Sequence, residues 1–546
     1  MHYRPALAAL FATTAALAAC GGSGSPTSSP APAPPPAEPP TQAEAARFLS
    51  QVGMGMSRDT LNAVQSLGYA AWIDQQMSMP VQDKRWDWLV ANKFDTATNK
   101  FSDRGFDNVA WRKLIVAPDV LRQRVTLALS ELLVIGLEGL PGPWGAFSAA
   151  NYLDLLEANA FGNYRTLLQH VSQNAAMGGY LTFKGNAKAD PKKGSLPDEN
   201  YARELLQLFT IGLTQLNLDG SIKLVNGQPQ DTYTQDDVTG LARVFTGWDR
   251  DMTGTTDDSI EFTRRPMIQT AAKHESGSKT FLGYTVAAGA DGAASLTQAL
   301  DALFTHPNMA PFISRQLIQR LVTSNPTPAY IGRVAAVFNN DGKGVKGNLA
   351  AVVKTLLLDS EARDTKVAEQ AGFGKLREPI LRCVAWARTF GAGSKSGQWT
   401  MGNVAEPSYQ LGQAPLRSPS VFNFFRPGYT PPGSAIGQAG MVAPEFQITN
   451  ETSVVGYLNF MQRLVAGQHG DIEGSYSSLI PMADQSQTLI DEINLLLTGK
   501  ALSSATLSSI KAAIDSMPGG TDSYRLYRVY ATTVLMLASP EFIVQK

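Results

Sequence analysis

Four charged tracts interrupt apolar sequence, and they hold the side chains best suited to proton transfer or ligand binding. In PDENYARELLQLFTIGL, Glu199 and Arg203 stand four apart, the spacing of an ion pair on one helical face. Glu204 falls at the border of the apolar arc Leu205, Leu208, Phe209 and Leu213, one turn from Asn200. A half-buried carboxylate needs a cation or donor beside it, so Glu204 is either one half of an ion pair or a general acid or base. The second tract, TYTQDDVTGLARVFTGW, reads as a helix capped between Thr234 and Asp237 and ended by Gly247 before Trp248. The third joins KHESGSKTFLG to THPNMAPFISRQLIQRLV. There His274 is the histidine least explained by packing, His306-Pro307 marks a helix entry, and Arg315 and Arg320 could answer the carboxylates. In the fourth, GKLREPILR presents Arg377 and Glu378 together ahead of Pro379. QAPLRSPSVFNFFRPGY adds a proline-stiffened loop with Arg417, Asn423 and three phenylalanines, either a binding lip or a plug over the core.

These residues support competing readings. A hydrolase-like enzyme would gather Glu204, His274 and Arg203 with Arg315 or Arg377. A polymer-binding protein would use Trp248 and the loop around Arg417. A scaffold would bury Glu204 against a cation from another tract, Arg315 or Arg377. Known catalytic signatures give no help. The histidines beyond the leader, His170, His274, His306 and His469, lie in neither H-E-x-x-H nor H-x-H spacing, so no zinc site is indicated. Asn339-Asn340-Asp341-Gly342 lacks both essential ends of a calcium loop, Val337 standing at the first position and Asn348 at the twelfth. Ser276 and Lys279 match S-x-x-K, but the motif leads into a strand-like TFLGYTV and its S-D-N and K-T-G partners are missing. The sequence indicates no cofactor.

Location is legible at the N-terminus. Arg4 precedes an Ala/Leu-rich core, Ala6 to Ala18, that ends in Leu17-Ala18-Ala19-Cys20. This stretch is shorter than the roughly 20 residues of a membrane span and has the form of an export signal. Small residues before cysteine resemble a lipobox, so residues 1–19 are predicted to be cleaved and Cys20 acylated. Residues 20–40 are Gly/Ser- and then Pro-rich, a tether. Gly21 after the cysteine fits sorting to the outer membrane of a Gram-negative bacterium. The chain has 46 basic and 47 acidic residues, too even a balance to draw nucleic acid. Membrane attachment would fall to the acyl chains, since no polybasic run follows Cys20. Only Cys383 remains besides Cys20, and its apolar helical setting reads as a buried small hydrophobe.

Helical signals position these residues. Thr41 and Glu44 form a capping box, Ser57 opens a helix running on through Met77, and Pro118-Asp119 opens another with Leu121, Val125, Ala128 and Leu132 on one face. Asn226-Gly227 marks a small hairpin, strands are expected only within 216–233 and 260–290, and 394–440 reads as loop. The fold class is mainly α: a large multi-helix globular domain over 41–546, with a β-hairpin excursion and irregular loops. A division into two lobes near 390–440 is the alternative.

Six tracts, RQRVTLALSE, LPDENYARELLQLFTIGL, YTQDDVTGLARVFTGW, HPNMAPFISRQLIQRLVTSNP, GKLREPILR and PLRSPSVFNFFRPGY, occur in the order found in the bacterial domain-of-unknown-function family numbered 1800, which the chain resembles from about residue 45 to its C-terminus. The resemblance implies an exported, mostly helical protein, often encoded beside sulfatase-like members of the family numbered 1501. It supplies no catalytic residues. The leading expectation is an envelope-anchored lipoprotein that acts with an exported partner.

Overall fold

The capping residues read in the sequence make their bonds in the computed structural model, which describes residues 39–546. Thr41 and Glu44 close a capping box on the helix Gln42–Val52, and Thr234 and Asp237 close another on Gln235–Ala242. The signal segment, Cys20 and the tether up to Glu38 lie outside the described residues. Ser57 caps its helix as expected, but that helix ends at Leu67, because Gly68 at φ 75° turns the chain before a second helix, Tyr69–Ser78. Leu67, at the end of the first of them, is 44% exposed.

The described residues carry twenty-four α-helices and five two-stranded sheets, so the fold is mainly α. The hairpin falls where predicted, Leu224–Val225 against Gln228–Pro229, with Asn226 and Gly227 both at positive φ. Strands also pair Trp248–Asp249 with Ile268–Gln269 and Lys279–Phe281 with Tyr284–Val286. Trp248–Asp249 lies outside the predicted regions, and so do both strands of two further sheets: Lys375–Leu376 with Val544–Gln545, and Gly393–Ser394 with Ile472–Glu473. Each joins residues far apart in the chain, for which no hairpin turn signals.

One apolar core runs from Ala45 to Phe542, with a smaller one around Trp86, Trp144 and Phe147. Residues 39–546 form one compact unit, with no division at 390–440. Gly240 lets the helix Gln235–Ala242 lie directly on a strand, since a Cβ there would sit 1.7 Å from the Thr280 carbonyl oxygen. The helix Asn200–Glu204 widens into a π-helical turn, Leu205–Thr210. That wider winding shifts the phase of the apolar face. Leu206 is buried, and Leu213, expected in the arc, is 55% exposed.

Candidate functional site

Charged side chains from the predicted tracts meet inside the protein, in a different combination from the one the sequence suggests. Arg124 and Glu131 come from the helix Val120–Leu132, and Arg320 from Met309–Leu321. Lys375 and Glu378 precede the helix Pro379–Thr389, and Glu445 lies in the 3-10 turn Pro444–Ile448. None of the six is more than 5% exposed. Lys375 Nζ lies 3.3 Å from Glu378 Oε1 and 2.9 Å from Glu445 Oε1, and donates to the Arg320 carbonyl. Arg320 Nη2 donates to the Glu131 carbonyl at 2.9 Å, while its Nε stands 3.8 Å from Glu131 Oε2. Arg124 also donates to the Arg320 carbonyl.

Within this cluster Glu131 and Glu378 are neighbouring buried acids, and neither Glu131 carboxyl oxygen has a hydrogen-bond partner among the described residues. Burial, then the Glu378 charge, pushes the Glu131 carboxyl well above the usual carboxylate range. Burial acts on Glu378 in the same direction, but Lys375, the neighbouring Glu131 carboxyl, Arg124 and the Gln413 amide outweigh it and hold Glu378 low, at about 2. Gln413 Nε2 donates to Glu378 Oε2 at 2.9 Å. A cavity of about 20 Å³ lined by Glu131, Gln413 and Asn423 lies alongside, no larger than the volume of one water molecule. A substrate has no room here.

The predicted residues around Glu204 serve a different contact. Glu199 accepts from Arg203 Nη2 at 3.0 Å, from Gln235 Nε2 at 2.8 Å and from Thr239 Oγ1 at 2.7 Å, tying two helices together. Asn200 is exposed and reaches Thr182 Oγ1 at 3.4 Å. Glu204 is 7% exposed, with Oε2 sealed and no partner for it among the described residues. The expected cation is therefore absent: neither Arg315 nor Arg377 pairs with it. Burial raises the Glu204 carboxyl, opposed only by neighbouring Arg203. Arg315 is half-buried and lies in no ion pair among the described residues, and burial alone lowers its pKa. Arg377 stacks on the Phe542 ring, 4.6 Å from its centroid. Burial, then Arg382, brings the Arg377 guanidinium down to about 10. Arg377 and Glu378, expected to act together, thus face different surroundings.

The remaining candidates are absorbed by packing. His274 is 4% exposed rather than on an open polar loop. Its Nδ1 lies 2.8 Å from the Thr246 carbonyl and its Nε2 3.3 Å from Ser295 Oγ. Burial lowers its pKa, and its charged neighbours are Lys279, Glu275 and Asp291, none of them a predicted partner. Trp248 is 3% exposed, which leaves no platform for a polymer. His306 Nδ1 accepts from the Asn308 amide at 3.1 Å, a cap at the end of the helix Gly292–Thr305. Arg417 pairs with Asp103 at 2.7 Å and Asp107 at 2.6 Å. Asn423 and Phe425 are buried, so the proline-stiffened loop is a plug. Cys383 is buried and unbridged, and burial pushes its thiol up.

Sequence reasoning missed Arg124, Glu131, Lys375 and Glu445. Arg124 and Glu131 did leave a signal, standing seven apart on one face of an apolar helix. Lys375 and Glu445 are brought in by long-range pairing with no local trace. Among the described residues no three His, Cys, Asp or Glu side chains group as a metal site would require. Of the tracts that carry the family resemblance, three supply five of the six charges and a fourth closes over them with Asn423. No curated protein and no solved structure matches the chain. A family model does match, over residues 47–544, and the chain belongs to that family, described as Protein of unknown function (DUF1800).

Proposed function

We propose that the chain is an exported lipoprotein, held through acylated Cys20 at the outer membrane of a Gram-negative bacterium, whose helical body engages an exported partner protein. One observation carries this reading: the charged tracts compensate one another inside the fold. Six ionisable side chains at 5% exposure or less lie against each other and against backbone carbonyls, sealed from solvent. An active site would instead leave them facing an open cleft. The enzyme or polymer-binding alternative needs Glu204, His274 and Arg417 in one place. No two of them share a hydrogen bond or ion pair, and Arg417 is spent on Asp103 and Asp107.

A surface suited to a partner lies between the helices Glu451–Val465 and Asp522–Leu537. A groove of about 890 Å³ there is lined by Asn459, Gln462, Tyr527 and Tyr530. Val455 and Tyr527 stand 56% and 55% exposed on the same two helices. Tyrosines and amides give large contact area at low cost in side-chain entropy. The family resemblance makes a sulfatase-like protein of the family numbered 1501 the first partner to seek.

Metabolic labelling with an alkyne fatty acid, followed by crosslinking in intact cells, tests both halves. The wild type should be labelled, Cys20→Ser should not, and the crosslinked species should contain an exported sulfatase-like protein. Unlabelled wild type in the soluble periplasm would sink the anchor. Crosslinks unchanged by Tyr527→Asp would sink the docking face.

A further inference from the structure

Away from the charged core, a cleft of about 400 Å³ opens between the helices Arg85–Ala91, Gly145–Ala158 and Tyr164–Ser172. Its volume falls within the range of small-molecule pockets, roughly 300–1,000 Å³. The walls are held before any ligand arrives. Asp154 accepts from the backbone N–H groups of Arg85 and Trp86, each at 3.0 Å, and so fixes one helix start against another helix. The Trp86 indole N–H donates to Thr263 Oγ1 at 2.9 Å, and the Arg264 guanidinium lies 4.1 Å over its ring. Asn174 caps the next helix through the amides of Ala176 and Met177.

Four polar side chains line this prepared space and make no side-chain hydrogen bond to any described residue: Lys84, Asp87, Asn151 and Gln173. His170 adds a fifth group, since its Nδ1 faces Asn159 Oδ1 at 3.2 Å and leaves Nε2 unengaged. The charges cancel. Lys84 offsets Asp87, Arg264 is paired with Glu261, Arg265 with Asp251 and Asp154 with Arg85. A cleft without net charge does not select an ion. Two carboxamides each offer a donor and an acceptor in one plane, the pattern that neighbouring hydroxyls match. Leu155, Ala158 and Pro266 supply apolar strips beside them, suited to the C–H face of a sugar ring. Peptide recognition draws on an open sheet edge or an apolar helix groove, and neither lines this cleft.

We propose that the cleft is a binding site for a neutral saccharide, its hydroxyls held by Asn151, Gln173, Asp87 and Lys84. The site goes beyond the partner reading and stands independently of it. Saturation-transfer NMR on the full chain, purified in a detergent without a sugar headgroup, tests it against cellobiose, maltotriose, chitotriose and xylobiose. Glucose 6-phosphate and a neutral peptide serve as counter-ligands. At least one neutral saccharide should take up saturation. Asn151→Ala with Gln173→Ala should weaken its binding at least about tenfold with the melting temperature unchanged. Should that variant fail to fold, Asp87→Ala, at an exposed side chain, should show the same loss. Silence from all four saccharides, undiminished binding in a folded variant, or a response only to the phosphorylated sugar or the peptide would overturn the proposal.

Discussion

Two of the buried charge clusters among the described residues solve the same problem in opposite ways. In the N-terminal group, two cations face two carboxylates directly. Arg85 Nη1 lies 3.1 Å from Asp154 and 2.5 Å from Glu157, and Lys113 Nζ lies 3.0 Å from Glu157. Burial would raise Glu157, but Arg85 and Lys113 pull it below the usual carboxylate range. Asp154 stays raised, because burial outweighs Arg85 and the two backbone donors. In the second group Arg124 and Arg320 donate to backbone carbonyls and Arg320 Nε stays 3.8 Å from Glu131, so burial and the Glu378 charge push the Glu131 carboxyl well up. The difference teaches that counting ions inside a fold says little. What decides the charge state is whether a cation or another acid lies nearest.

The largest expected effect comes from removing the carboxylate that each group is built on. Glu157→Ala leaves Lys113 with no carboxylate and Arg85 with Asp154 alone, and Glu378→Ala leaves Lys375 with Glu445 alone. Breaking a buried pair in this way costs about 3–5 kcal/mol, a large part of the ~5–15 kcal/mol that holds a typical domain. Denaturant unfolding of the full chain should show both losses. A loss under about 1 kcal/mol at Glu378 would mean that the second group is not held by charge at all.

The two groups should also respond to pH with opposite sign. Glu157 is lowered by folding, so its contribution is present above the ordinary carboxylate range and is lost as pH falls through its folded value. Glu131 is raised, so its contribution is full below the ordinary range and is lost as pH rises through its folded value. A tenfold change in proton affinity on folding corresponds to about 1.4 kcal/mol. Melting temperatures from about pH 2 to about pH 9 should therefore fall at both ends, with Glu157→Gln removing part of the acid-side fall.

Part of this comparison was legible in the sequence. Caps at Thr41, Ser57 and Thr234, the Asn226-Gly227 turn and the Glu199–Arg203 pair are local, set by residues within four positions of each other, and each forms as read. The partner of Glu204 was misread because pairing across tracts depends on which helix faces which, and a single sequence does not encode that locally. His274 was misread for a related reason. Its ring is satisfied by Thr246 and Ser295, both more than twenty residues away. Lys375 was overlooked because its burial depends on the strand Val544–Gln545 returning from the far end of the chain.

Glu204 gives a third, solitary case that sharpens the contrast. With no ion pair to break, Glu204→Gln removes an uncompensated buried charge. The variant should be as stable as wild type at neutral pH or more so, by up to about 1 kcal/mol. A loss of about 3 kcal/mol or more, the size expected for a broken buried pair, would show that a cation does reach Glu204.

The smallest expected change is the most discriminating. If Glu131 keeps its proton and donates it to Glu378, a glutamine at the same position donates an amide hydrogen along the same line. Its oxygen is left towards Arg320, where Glu131 Oε2 already stands 3.8 Å from Nε. Glu131→Gln should therefore shift stability at neutral pH by less than about 1 kcal/mol, the net worth of one exchanged hydrogen bond. It should also flatten the alkaline-side fall, since the variant has no proton to lose there. A Glu131 ionised and paired with Arg320 gives the reverse: glutamine would then break a buried ion pair and cost about 3–5 kcal/mol. Unfolding of this one variant at neutral and at alkaline pH separates a shared proton from a stretched salt bridge.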